Sequence, residues 1–126
     1  MSEKQNVKWR VACYCRVATQ AQIDDFALDA QSARLHQQAE RDGLEVVGEI
    51  RAYEKGITLD RPGWHKVLRL AADQKADAIM VTGLDRVARG LPLLTEALAE
   101  LDKRGLQLHA PDADLLFTPS FKQYIL

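Results

Sequence analysis

An α/β fold, a mainly parallel sheet of four or five strands with helices packed on it, is what this sequence predicts. Three observations carry that expectation. Apolar residues alternate from Val7 to Val17 as they do along a strand. Ala78-Ile79-Met80-Val81 is a short unbroken apolar run, as in a strand covered on both faces. Stretches of helical periodicity lie between such segments, the order that gives parallel strands with crossover helices. The chain has 126 residues, 47% hydrophobic and 28% charged, which fits one packed domain and not a disordered chain.

In the first strand Val7, Trp9, Val11, Cys13, Cys15 and Val17 share one face, and Lys8, Arg10, Ala12, Tyr14 and Arg16 the other. A polar, acidic loop from Gln20 to Asp25 follows. Leu28 to Arg41 reads as a helix, with Leu28, Leu35 and Ala39 on one side and Gly43 as its stop. Leu44 to Tyr53, rich in Val and Ile, is the second strand. After a loop from Glu54 to Leu59, Asp60-Arg61-Pro62-Gly63 reads as a helix start, Asp60 capping and Pro62 in the first turn. Trp64, Val67, Leu68 and Ala71 then recur at i, i+3, i+4 and i+7. Leu94, Leu98 and Leu101 mark a third helix ending at Gly105, and Leu106 to Ala110 is a fourth short strand closed by Pro111. Thr118-Pro119 has the form of one more helix start. The expected division is therefore a domain over residues 1–112 and, over 113–126, the beginning of a helix cut short after about two turns.

The formal net charge of −1 argues against a free-standing, sequence-blind nucleic-acid binder, whose footprint is a strong basic excess. It leaves room for a few arginines focused in one cleft. Cys13 and Cys15, one residue apart on a strand, are too widely held for a good disulfide. His36, His65 and His109 lack metal-ligand spacing, so a metal site is not expected. No apolar run is long enough to cross a bilayer, and Met1 to Gln5 lack the apolar stretch of a secretory signal. A cytoplasmic protein without membrane contact is the expectation.

Chemistry in open parallel sheets sits beyond the carboxyl ends of the strands. The first strand delivers Tyr14, Arg16 and Ala18 there on one face. The third delivers Thr82-Gly83-Leu84-Asp85-Arg86-Val87-Ala88-Arg89, in which Arg86 and Arg89, three apart, would project together from a helical turn. With Arg16 and Arg61, four guanidiniums can converge, and guanidinium forks match phosphate oxygens. An isolated arginine pair is more often a solvated face. A charge at the end of a central strand, such as Arg16, requires a partner or a task.

The same residues resemble a family. Tyr14-Cys15-Arg16-Val17-Ala18-Thr19 is similar to the serine site-specific recombinase (resolvase/invertase) opening Tyr-x-Arg-Val-Ser-Thr, and Leu28-Asp29-Ala30-Gln31 to its Leu-Asp/Glu-x-Gln. Asp60-Arg61-Pro62-Gly63 and Leu84-Asp85-Arg86-Val87-Ala88-Arg89 resemble its Asp-Arg-Pro-Gly and Leu-Asp-Arg-Leu-x-Arg. The resemblance runs from about residue 8 to 112, in the family's order. It implies a resolvase-like catalytic domain and site-specific DNA recombination. In that chemistry a serine hydroxyl attacks a DNA phosphodiester, leaves a phosphoserine linkage, and the strands are exchanged and rejoined without metal or cofactor. It implies further that Arg16, Arg61, Arg86 and Arg89 bind the scissile phosphate and that Gln31 and Asp85 support them. Glu54 would take the place of a family acidic residue. The implied partners are DNA and other recombinase subunits, in a dimer or tetramer of the full-length form, and residues 113–126 would begin an oligomerisation helix.

The departures are as informative. Ala18 occupies the nucleophile position and has no oxygen to form the covalent intermediate. Losing a nucleophile costs on the order of 10⁶ in turnover where it has been dissected. Thr19 would face away from Arg16, with a structural role, and Cys15 belongs to the buried set. Strand cleavage is therefore expected to be absent. The competing expectations are a non-enzymatic interaction or regulatory module that pairs with an active recombinase, and an unrelated small α/β phosphate-ester enzyme.

Overall fold

The computed structural model describes residues 8–113, 115–118 and 123–125. Among these residues six strands form one sheet: β1 (Arg10–Val17), β2 (Glu45–Tyr53), β3 (Ala78–Met80), β4 (Gln107–Ala110), β5 (Leu115–Thr118) and β6 (Gln123–Ile125). Their order is β2-β1-β3-β4-β5-β6. The first four run parallel, and β5 and β6 extend the sheet antiparallel beyond β4. The helices are α1 (Gln22–Asp42), α2 (Pro62–Asp73), α3 (Leu84–Val87) and α4 (Leu91–Lys103).

The central position of β1 explains its composition. Residues 11 to 17 are all buried, so both faces of the strand must find cover. Val11, Cys13, Cys15 and Val17 pack with Leu28 and Leu35 of α1. Ala12 and Tyr14 pack on the other face with Trp64, Val67 and Leu68 of α2 and with Leu98 and Leu101 of α4. The two faces expected from alternation are thus two separate cores. Burial pushes the thiols of Cys13 and Cys15 up to about 12, so both stay protonated and act as small apolar groups.

Helix α1 begins at Gln22, inside the segment that reads as a loop. Asp24 and Asp25 occupy its first turn, where carboxylates interact favourably with the positive end of the helix dipole. It ends as expected: Gly43, at φ 69°, turns its N–H back to the carbonyls of Ala39 and Glu40. Gly105, at φ 70°, likewise follows α4. The third strand is followed by a one-turn helix, α3, which apolar periodicity cannot reveal in four residues.

The helix start expected within residues 113–126 is not found at the described positions, since 115–118 and 123–125 are strands. Leu115-Leu116-Phe117-Thr118 is apolar, aromatic and β-branched, a composition that suits a strand. Its backbone pairs along the otherwise open edge of β4, Leu108 with Phe117 and Ala110 with Leu115. Pro119 lies outside the described residues.

Candidate functional site

Everything of chemical interest gathers at the carboxyl ends of β1 and β3, and Arg16 is its keystone. Only 4% exposed, Arg16 directs its guanidinium at three backbone carbonyls. Its Nε donates to Arg86 O at 2.8 Å, Nη1 to Glu54 O at 2.8 Å and Nη2 to Asp85 O at 2.6 Å. This ties β1 to α3 and to the loop after β2. The last β1–β3 pair is Cys13 with Met80, so the Arg16 backbone has no strand neighbour on the β3 side. The Gln31 carboxamide takes that place, accepting from Arg16 N at 3.0 Å and donating to Arg16 O at 2.9 Å. Gly56 closes the other side: a Cβ there would stand 2.7 Å from Arg16 Nη2. Burial lowers the Arg16 pKa from its ordinary value, and the nearby charges of Arg61 and Arg86 add to that shift.

Arg61, 2% exposed, is as deeply buried, but its guanidinium makes a single hydrogen bond among the described residues. Nη2 donates to Val87 O at 2.6 Å, and the guanidinium lies against the rings of Tyr14 and Trp64 at 5.7 and 5.6 Å. Its Nε faces Glu54 Oε2 at 3.6 Å, an ion pair without a hydrogen bond, and Nε and Nη1 find no hydrogen-bond partner among the described residues. Glu54 organises this corner. It accepts from Tyr14 Oη at 2.6 Å, from Gly63 N at 2.8 Å and from Trp64 N at 3.1 Å. The carboxylate thereby caps the first turn of α2 from the start of the loop that leads to it. The expected cap, Asp60, does not serve: its side chain is 94% exposed and meets His65 Nε2 at 3.1 Å instead. Burial and the hydrogen bond to Glu54 push the Tyr14 phenol up from its ordinary value.

Arg86 and Arg89 form the outer layer. Arg86 Nη1 donates to Arg16 O at 2.8 Å, while Nε and Nη2 fork onto the Asp85 carboxylate at 3.3 and 3.0 Å. That hydrogen bonding holds the Asp85 carboxyl below its ordinary value. The Arg86 side chain keeps 27% exposure. Arg89 is exposed, and its backbone N–H bonds Gly56 O at 2.8 Å. The shared helical turn expected of Arg86 and Arg89 does not exist. Helix α3 stops at Val87, and Ala88 is extended at φ −157° and ψ 147°. Arg86 is held by Arg16 O and Asp85, and the backbone of Arg89 by the loop at Gly56.

Ala18 follows the end of β1 directly, exposed and two residues beyond the carbonyl that Arg86 holds. Thr19 is engaged elsewhere, its hydroxyl bonded to the Asp24 carboxylate and accepting from Ala21 N, so it shapes the entry to α1. The seven residues singled out from sequence, Arg16, Ala18, Gln31, Arg61, Asp85, Arg86 and Arg89, thus lie around one strand end and one short helix. They form two layers and not one convergent fork. Arg16 and Arg61 are buried beneath, while Arg86 and Arg89 face outward. Gly56 is a part of the arrangement that the sequence reading passed over, and Tyr14, expected at this strand end, was given no role there. The signal for Tyr14 was its place on the Arg16 face of a central strand, where a buried phenol requires an acceptor.

A parallel α/β sheet with arginines gathered at one strand end defines the class: a serine recombinase catalytic-domain fold. Residues 11–123 match the family described as "Resolvase, N terminal domain", and the chain belongs to that family. It is similar to the N-terminal catalytic domain of TP901-1 integrase, with 25% identity, a TM-score of 0.76, and 85% of this chain and 81% of that one covered. A resolvase family site-specific recombinase from Streptococcus pneumoniae gives 24% identity and a TM-score of 0.72, over 86% of this chain and 76% of that one. The C-terminal catalytic domain of IS1535 TnpA, an IS607-like serine recombinase, gives 31% identity and a TM-score of 0.61, over 79% and 69%. No curated protein matches. Among the described residues no helix is long and apolar enough to cross a membrane.

Proposed function

We propose that this domain engages a DNA phosphate through Arg86 and Arg89, backed by Arg16 and Arg61, and that it lacks strand cleavage of its own. One observation supports the reading above the rest. Arg16 and Arg86 are locked together around α3, while the adjoining position 18 carries a methyl group with no oxygen. Arg16 and Arg61 act from behind: they fix the backbone of residues 85–87, and their buried charge raises the potential of the cleft. Gln31 and Asp85 position Arg16 and Arg86. DNA and further recombinase subunits are the partners this reading requires.

The test joins this domain to the oligomerisation helix and DNA-binding domain of an active serine recombinase. Labelled target DNA is incubated with the Ala18 and Ala18→Ser forms and run on a denaturing gel. No covalent adduct is expected with Ala18, and an adduct is expected with Ala18→Ser, whose hydroxyl stands beside the arginines. An adduct from the Ala18 form would refute the reading.

A second reading, a non-enzymatic module that pairs with an active recombinase, is favoured by one further feature. Ile23, Phe26, Ile57 and Leu91, all exposed, follow the carboxyl ends of the strands and are poorly suited to a polar DNA backbone. Co-sedimentation with an active recombinase, lost in Ile57→Asp with Leu91→Asp, would support it.

A further inference from the structure

The nine-residue strand β2 stands at one end of the sheet, so its outer edge pairs with no strand among the described residues. A groove of about 360 Å³ runs beside it, lined by residues 49–54 and by Pro62, Gly63 and Lys66. The direction of each backbone group along this edge follows from the ladder. Glu54 N donates inward to Val17 O, and groups alternate along a strand. The N–H and C=O of Ala52 and Ile50 therefore point to β1, and those of Tyr53, Arg51 and Glu49 point outward.

Charged residues on an edge commonly keep other strands away. Here their order selects one partner and one register. Glu49 and Arg51 lie on the α1 face and are held in place: Arg51 Nε meets Glu49 Oε2 at 2.8 Å and Arg51 Nη1 meets Asp29 at 2.7 Å, while Ser32 Oγ donates to Glu49 at 2.8 Å. We propose that the β2 edge is a self-docking surface, on which a second copy of this chain pairs antiparallel about a two-fold axis through Ile50. That axis sets Glu49 opposite Arg51 of the second copy, twice, at the hydrogen-bonded positions where both backbones point outward. Ile50 meets Ile50 between them at a non-hydrogen-bonded position. Moving the axis by one residue sets Glu49 against Glu49 or Arg51 against Arg51, and directly opposed like charges are destabilising. The surface is distinct from the arginine site and does not depend on the reading of that site.

Disulfide trapping tests it on the intact chain. Directly opposed non-hydrogen-bonded residues have Cα atoms about 4.5 Å apart, within disulfide reach. The native Cys13 and Cys15 are wholly buried and do not interfere. Under mild oxidation Ile50→Cys should give a covalent dimer on a non-reducing gel, and Arg69→Cys, exposed on α2, should remain monomeric. Adding Arg51→Glu to Ile50→Cys should abolish the cross-link, and adding Glu49→Arg as well should restore it, because the swapped charges again oppose their complements. Far-UV circular dichroism confirms that each variant is folded. If Ile50→Cys cross-links no more than Arg69→Cys, the surface is not used. If charge reversal leaves the cross-link intact, the register is wrong. Either result overturns the proposal.

Discussion

Glu54 is the side chain whose removal should cost this fold most for its size. Its carboxylate accepts from the Tyr14 hydroxyl and from the N–H groups of Gly63 and Trp64, and it is the carboxylate facing the buried Arg61 guanidinium. Glu54→Ala strands all of these together. Loss of a helix cap alone costs about 0.5–2 kcal/mol. Removing one partner of a buried ion pair costs about 3–5 kcal/mol, because the other charge remains uncompensated. The contributions overlap, so a loss of about 3–5 kcal/mol is expected for Glu54→Ala. Glu54→Gln keeps one acceptor oxygen and should lose less. Asp60→Ala, at the position that reads as the cap in sequence, should fall within about 0.5 kcal/mol of the parent. Equilibrium urea unfolding, with free energies extrapolated to water and unchanged slopes, measures all three. A Glu54→Ala variant within about 1 kcal/mol of the parent would refute the capping and pairing roles argued for it.

Stability should also fall in alkali. Burial raises Cys13 and Cys15 from 9.0 to about 12 and also raises Tyr14, so the folded chain retains protons that the unfolded chain releases. That stability is complete below about pH 8.5 and is lost as the pH climbs toward 12, by up to about 1.4 kcal/mol per pH unit for each group. Urea midpoints measured from pH 7 to 10.5 should show the decline, and Cys13→Ala with Cys15→Ala should flatten it. Gly56→Ala should destabilise by about 1–3 kcal/mol, since the new methyl meets a guanidinium already fixed on three carbonyls. The accompanying amide shifts should concentrate at Asp85 and Arg86, and shifts confined to the loop around residue 56 would contradict the linkage.

The sheet was legible because β1 and β3 declare themselves locally, one by alternation and the other as a short apolar run. Gly43 and Gly105 mark helix ends for a reason that acts within a few residues. The site was legible as a set of residues and far less as an arrangement. Arg16 and Arg61 read as phosphate forks, yet Arg16 commits its donors to carbonyls of Glu54, Asp85 and Arg86, and Arg61 lies buried with one bond to Val87 O, contacts between segments far apart in sequence. The Glu54 cap on α2 was hidden for a different reason: Asp60 is the adjacent candidate, and Glu54 reaches the helix only because the intervening loop folds back. Residues 115–118 show the limit of local cap chemistry. Thr118-Pro119 has the form of a helix start, while the free edge of β4 gives the preceding residues a strand partner.

Titration with sulfate, followed residue by residue by NMR, tests the central claim most directly. If the arginine layer at the strand end is an anion site, amide shifts should cluster at Arg86, Arg89 and the loop around Gly56. They should weaken as sodium chloride is raised and vanish in Arg86→Ala with Arg89→Ala. Shifts that scatter over the surface, or that persist unchanged in the double variant, would contradict it.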